Sequence, residues 1–225
     1  MKKLFVLFVI VSLVLSINSV FAEDNQLNDE NIISGNSTSD IYVSNDGSDS
    51  LGDGSQLNPF KTLNHTINVA SDNSNIYLKE GTYNSTGFII DKSISISGVG
   101  DNVVIDGING QYSQYMFKIS NNGSLFLNNI HFVNGYADIY GDLSCIINEG
   151  NLHIANSTFD NFKTSVGVIR NFNYAYVSDV STTNLDNSPL PSALYKENYR
   201  IHFIYNIGHA ELYNLATSSY TIMAI

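Results

Sequence analysis

The sequence predicts an all-β protein built as a parallel solenoid, and three observations carry that reading. Four 18-residue segments in the second half of the chain align without gaps (118–135, 145–162, 168–185 and 203–220). Within each, apolar residues alternate with the period of two expected of a strand with one buried face. Only 14% of the 225 residues are charged, against 30 Asn and 28 Ser. About 25% is usual for a soluble domain, so most of the polar surface is neutral.

From the N-terminus, Lys2 and Lys3 precede an apolar run, Leu4 to Leu15, broken only by Ser12, and Val20-Phe21-Ala22 presents small residues for cleavage. The run is shorter than the roughly 20 apolar residues a membrane span needs. Residues 1–22 therefore read as a signal peptide, with an uncleaved anchor as the other reading. Its removal takes the net charge from −11 to −13 (8 − 21). The mature chain is expected to be exported, extracellular or at the cell surface, acidic and without a membrane span. Ten basic residues in all exclude nucleic-acid binding by phosphate neutralisation. The aromatic and β-branched content excludes disorder of the whole chain. One cysteine excludes an internal disulfide framework.

Residues 23–39 lack an apolar period and read as a flexible spacer; residues 40–225 form the solenoid. Five Asn-x-Ser/Thr triplets, at Asn36, Asn64, Asn84, Asn122 and Asn156, are candidate glycosylation acceptors, although chance supplies such triplets in so Asn- and Ser-rich a chain. Over 58–70, Phe60, Leu63, Ile67 and Ala70 share one helical face with Pro59 near its start. This pattern predicts a short helix that lids the open apolar end of the stack; a partner-binding helix is the alternative. IYLKEGTY, from Ile76, follows as a first strand and turn.

The coils come next. With Gly123, Gly150, Asn173 and Gly208 as column zero, spaced 27, 23 and 35 residues apart, Ile119, Ile146, Ile169 and Ile204 stand four before it. Asn121, Asn148, Asn171 and Asn206 stand two before, and Asn129, Asn156, Asp179 and Asn214 six after. Leu125/Leu127, Leu152/Ile154, Ala175/Val177 and Ala210/Leu212 lie at plus two and plus four. A partial earlier copy has Ile94, Ile96 and Gly98. Stacked coils about 4.8 Å apart would seat each Ile on the next, filling a prism with aliphatic side chains, and would string the amides into ladders. Gly or Asn at column zero would supply the positive φ of a tight corner. A coil of 23 to 27 residues suits a three-faced parallel β-helix rather than the 6- or 9-residue types. The wide last spacing leaves SPLPSALYKENYR (188–200), with Lys196 and Arg200, as an inserted loop. The stack reaches Ile225 with no second cap in view, so the expectation is either a truncated solenoid or an end covered by something else.

The stretch from Ile41 to Asn84 resembles the opening coil of pectate-lyase-like right-handed parallel β-helices. Its landmarks are Tyr42-Val43, Gly47-Ser48-Asp49, Asp53-Gly54, Asn58-Pro59-Phe60, Ile67, Ile76-Tyr77-Leu78 and Gly81-Thr82-Tyr83. With Asn/Ser-rich coils behind a signal peptide, the whole is similar to the adhesin-like surface proteins of methanogenic archaea. That resemblance implies a non-catalytic module for cell-surface or glycan contacts. A divergent polysaccharide lyase or hydrolase of the β-helix class is the alternative.

The residues themselves favour the non-catalytic branch. The lyases that this fold resembles use Arg or Lys as base with carboxylate-held calcium, and only Arg170 and Arg200 are available as Arg. The Asp trio of the hydrolases is absent, and Gly208-His209-Ala210 lacks the final glycine of their Gly-His-Gly. His65, His131, His153, His202 and His209 fall in different columns, so neither a metal site nor a cofactor is expected. Asp46, Asp49 and Asp53 form a weak calcium candidate, since closely spaced carboxylates suit a hard cation; turn-forming Asp-Gly pairs explain them equally well. Cys145 reads as a buried free thiol. Outward positions plus one and plus three hold Ser124/Phe126, Asn151/His153, Tyr174/Tyr176 and His209/Glu211. Stacked, they place Phe126, His153, Tyr174, Tyr176 and Glu211 on one face as candidate binding residues for carbohydrate or another cell surface. Covering of that face by the 188–200 loop is the competing account.

Overall fold

A computed structural model describes residues 39–84, 87–110, 115–137, 145–164, 167–186, 202–217 and 223–224, all within one compact unit, Asn36–Ile225. The signal peptide at 1–22, the spacer up to residue 38, Asn36 and the loop at 188–200 with Lys196 and Arg200 lie outside the described residues. Ser39 is already tied down: its carbonyl accepts from the Asn75 N–H at 2.9 Å and its hydroxyl lies 2.7 Å from that of Ser74.

The chain is an all-β parallel solenoid with one short helix. Its strands are β1 (Asp40–Val43), β2 (Ser74–Asn84), β3 (Phe88–Ile90), β4 (Ser93–Asp106), β5 (Phe117–Ile119), β6 (Ser124–Asn128), β7 (His131–Val133), β8 (Tyr136–Ala137), β9 (Ile146–Asn148), β10 (Asn151–Thr164), β11 (Gly167–Asn171), β12 (Tyr174–Asp186), β13 (His202–Asn206), β14 (His209–Thr217) and β15 (Met223–Ala224). A long sheet runs β1-β2-β4-β6-β10-β12-β14, with β7 and β8 pairing along it, and a narrower sheet runs β15-β13-β11-β9-β5-β3. Neighbouring strands are parallel, as in the Leu125–Leu152–Ala175–Ala210 row. The partial copy belongs to the same row, for Ile94 pairs with Leu125 and Ile96 with Leu127.

Corners arise at asparagines rather than at column zero. Asn129, Asn156, Asp179 and Asn214 have φ of 48–54°, and a second set, Asn134, Asn161 and Asn184, 48–58°. Asn and Asp tolerate this left-handed conformation better than other residues with a Cβ, so each breaks a long strand into two facets. The glycines of column zero do not have positive φ. They are small because coils touch there: a Cβ on Gly150 would lie 2.3 Å from the Gly123 carbonyl oxygen, and one on Gly208 2.1 Å from that of Asn173.

The interior also differs from an aliphatic prism. Phe132 stacks on Phe159 at 4.7 Å, and Phe162 and Phe203 meet Phe159 at 5.4 and 5.1 Å. All four are buried in one continuous core. Burying a Phe contributes roughly 1.5–3 kcal/mol, and such ring pairs add about 0.5–1.5. Isoleucines do stack where expected from Ile146 through Ile169 to Ile204. Ile119, however, pairs with Asn148, and Phe117 takes the place under Ile146.

That two-residue shift corrects one ladder. Asn148 Nδ2 donates to Asn171 Oδ1 at 2.6 Å, and Asn171 Nδ2 donates to Asn206 Oδ1 at 2.6 Å; the three are 0%, 0% and 7% exposed. Asn121 is exposed in a turn two residues longer than its counterpart, outside the ladder. In the corner set only Asn214 to Asp179, at 2.6 Å, forms a rung. Asn129 donates to the carbonyls of Gly98 and Gly100, and Asn156 to Asn128. The second corner set supplies its own rung, Asn161 to Asn134 at 2.5 Å.

The predicted capping helix, α1, runs Leu63–Val69 and buries Leu63, Thr66 and Ile67. It starts later than Asn58 because Phe60 bridges to Val43 as extended chain. Thr62 caps it by accepting from the His65 N–H. Lys92 Nζ donates to the Ile67 and Ala70 carbonyls at its other end. Tyr83 closes the first coil, its hydroxyl 2.7 Å from the Lys79 carbonyl and 3.1 Å from that of Val43; burial pushes its pKa up to about 12. Toward β14 the core thins: Ala210, Leu212 and Leu215 are only partly buried, while Ala175, Val177 and Val180 beneath them are buried. Among the described residues no helix is long and apolar enough to cross a membrane.

Candidate functional site

The first facet of the long sheet presents three outward rows. The central one runs Asp40–Asn75–Ser95–Phe126–His153–Tyr176–Glu211 by strand register. Six steps of about 4.8 Å make it about 29 Å long. Beside it runs Ser93–Ser124–Asn151–Tyr174–His209. On its other flank Tyr42 and Tyr77 stack at 5.2 Å, and Tyr213 lies 5.3 Å from Tyr176.

The predicted binding residues thus share one face, four of them in a single row. Phe126 meets His153 at 4.5 Å and His153 meets Tyr176 at 4.4 Å. Tyr174 stacks on His209 at 5.6 Å with ring planes nearly parallel, 12° apart, and His209 Nε2 lies 3.4 Å from Glu211 Oε1. Desolvation between its ring neighbours holds the His153 pKa below the usual histidine value. Desolvation and then the Glu211 carboxylate raise that of Tyr174. The rings meet at tilts of 58° and 46° and stay partly exposed; Phe126 ends the run, with Ser95 on its other side.

A shallow depression of about 280 Å³ opens at that end, lined by Asn73, Ser74, Asn75, Ser93, Ile94, Ser95, Ser124 and Phe126. Ser95 Oγ donates to Asn75 Oδ1 and Asn75 Nδ2 to Asp40 Oδ1, each at 2.9 Å. The sequence places Phe126 and Ser124 on this outward face and Ile94 in the partial copy, whereas Asn73, Ser74, Asn75, Ser93 and Ser95 escaped that reading. The signal was present in the alternation of Ser93-Ile94-Ser95-Ile96-Ser97, whose serines all face outward.

The other candidates separate. Asp49 Oδ1 accepts the N–H groups of Lys61 and Thr62 at 2.8 and 2.9 Å, and its Oδ2 accepts the Thr62 hydroxyl at 2.7 Å. Desolvation pushes its pKa up, yet these hydrogen bonds hold it below the usual carboxylate value. Asp53 accepts the Ser55 N–H in a local turn, and Asp46 joins neither. Among the described residues no three His, Cys, Asp or Glu side chains gather as a metal-holding group. Arg170 faces outward on the narrow sheet, its guanidinium 4.8 Å from the Phe172 ring centre and 5.7 Å from that of Tyr205. Lys118 pairs with Glu149 at 3.4 Å. Cys145 is a buried free thiol whose pKa burial pushes up. His131 meets the Thr158 hydroxyl, while Asp160 accepts from Thr183 and Asn184 at 2.6 and 2.8 Å. These bonds form a polar mesh on the second facet.

No family model matches the chain, and no curated protein does. Among solved structures it is similar to a rhamnogalacturonan lyase at 13% identity and a TM-score of 0.42, over 79% of this chain and 53% of that one. The chain thus spans about half the length of that protein.

Proposed function

We propose that the chain is an exported, non-catalytic, adhesin-like β-helix module at the cell surface, whose first facet contacts glycans or another surface. The observation that carries this is the Phe126–His153–Tyr176 run, aromatic side chains held outward in register on a rigid sheet and continuing into an open polar depression. Half-exposed aromatics beside amides and hydroxyls offer both apolar contact and hydrogen bonds, the pair of features that carbohydrate binding uses. Export is supported by the pattern of residues 1–22, and the acidic balance suits a surface that stays soluble and shuns polyanions.

The test is a glycan array probed with the full chain and with Phe126→Ala, followed by adhesion of beads coated with each. Binding that the variant abolishes supports the module. The second reading, a divergent polysaccharide lyase or hydrolase, draws on the outward Arg170 of the narrow sheet. Incubation with pectic and neutral polysaccharides tests it, by following unsaturated uronate absorbance and reducing ends. Turnover lost in Arg170→Ala would replace the first reading by the second.

A further inference from the structure

Resting on the glycan reading above, we infer that the depression beside Phe126 is a subsite for one uncharged pyranose ring, the terminal residue of a neutral glycan. Inside the aromatic row His153 lies between Phe126 and Tyr176 at 4.5 and 4.4 Å, and Tyr176 between His153 and Tyr213 at 5.3 Å, so each inner ring has a tilted ring on two sides that crowds a sugar. Phe126 is the exception. The next coil supplies Ser95 at the same register position, too small to cover the ring, and the side of Phe126 away from His153 walls the depression.

The chemistry of the lining matches a sugar on both of its surfaces. The Phe126 ring contributes apolar surface for C–H groups, and the hydroxyls of Ser93, Ser95 and Ser124 belong to the same lining. A hydroxyl both donates and accepts, as the hydroxyls of a pyranose also do. The side chains of Ser93 and Ser124 engage no protein partner among the described residues, so both are available. The volume of about 280 Å³ sits at the low end of ligand pockets and suits one ring rather than a buried chain.

Charge selects the class. No Lys or Arg lines the depression. Lys92, next to Ser93, is turned to the carbonyls of Ile67 and Ala70, and Lys79 reaches the Gln56 carbonyl at 3.0 Å. The nearest fixed charge in the row is the Asp40 carboxylate, bonded to Asn75. A uronate seated here would lose water, gain no cation and face a like charge, which disfavours it. A neutral hexose meets none of these costs.

The experiment titrates the full chain calorimetrically with neutral gluco-, manno- and galacto-oligosaccharides of one to four residues and with galacturonate oligomers. The variants are Ser95→Trp and Ser93→Trp, which fill the depression, Phe126→Ala, and Ile89→Ala, a control at an exposed position of the narrow sheet. Matching circular dichroism confirms that each variant folds. The expected result is binding of a neutral sugar already near full strength as a disaccharide. It should weaken about tenfold or more in either Trp variant and in Phe126→Ala, and about twofold or less in Ile89→Ala. Tighter binding of galacturonate, or neutral binding untouched by both Trp variants, overturns the subsite and leaves the glycan reading standing. Silence toward every saccharide overturns both.

Discussion

Replacing Asn171 tests the internal ladder most directly. Its side chain is fully buried and has four polar partners, its two amide hydrogens being shared among three acceptors. It accepts from Asn148 at 2.6 Å and donates to Asn206 at 2.6 Å, the His209 carbonyl at 3.0 Å and the Asn173 carbonyl at 3.1 Å. A buried hydrogen bond contributes about 1 kcal/mol net, and a buried group left without a partner costs about 1–3 kcal/mol. Asn148 keeps the Tyr174 carbonyl at 2.8 Å and the Asn173 carbonyl keeps the His209 N–H at 2.7 Å, so the full sum is not lost. Asn171→Ala should therefore destabilise by about 3–5 kcal/mol. Asn171→Leu refills the volume but leaves Asn206 without its donor, so it should still cost about 2 kcal/mol or more. The gap-free repeat makes Asn121 equivalent to Asn171, yet Asn121→Ala at its exposed turn should stay within about 0.5 kcal/mol. Urea unfolding followed by circular dichroism reads all three. Equal losses at 121 and 171, or a Leu variant as stable as the parent, would refute the ladder argument.

Three further outcomes follow from other sites. Asn161 holds φ 58° and donates to Asn134, so Asn161→Ala should lose about 2 kcal/mol and Asn161→Gly about half of that in the same urea assay. Because desolvation lowers the His153 pKa, the fold favours the neutral ring. Its contribution is complete above the unfolded value of about 6.5 and drains as pH falls through the folded value. Melting temperature should thus drop on acidification from about pH 6.5 to 5, and the slope should be shallower in His153→Phe; an unchanged slope would remove His153 from the account. Asp49→Ala strips three hydrogen bonds from the start of α1 and should cost about 1–3 kcal/mol. The thermal shift should be the same in calcium as in chelator, whereas a deficit confined to calcium-containing buffer would restore the calcium reading.

Much of the architecture was legible because stacked coils repeat the same residue types at the same depth. Leu125, Leu152, Ala175 and Ala210 announce one row directly, and the outward placement of Phe126, His153 and Tyr176 follows from strand parity. The two-residue turn extension at Asn121 was not legible, since an Ile and an Asn fill the −4 and −2 columns whether or not the coils are in register. Column zero misled for a different reason. Glycine serves close approach as well as positive φ, and only the position of the neighbouring carbonyl separates the two. The second corner set was in plain view at Asn134, Asn161 and Asn184, eleven after column zero, but a corner needs a neighbouring facet to be recognised as one. The depression needed the same thing in space, for it is defined by where the aromatic row stops.

The change of residue type along one interior row has a consequence for assembly of the stack. Reading upward, that row goes Ile90, Ile119, Asn148, Asn171, Asn206 and then Ala224, with apolar residues below three successive amides. In a stack of near-identical coils, nothing in the aliphatic rows forbids a coil from docking one level too low, because Leu sits on Leu either way. The boundary between Ile119 and Asn148 does forbid it: a coil displaced across that line would bury an amide against methyl groups, at the cost of an unmet buried hydrogen-bonding group. One interior row thereby numbers the coils, and the error it guards against is a miscount rather than a misfold.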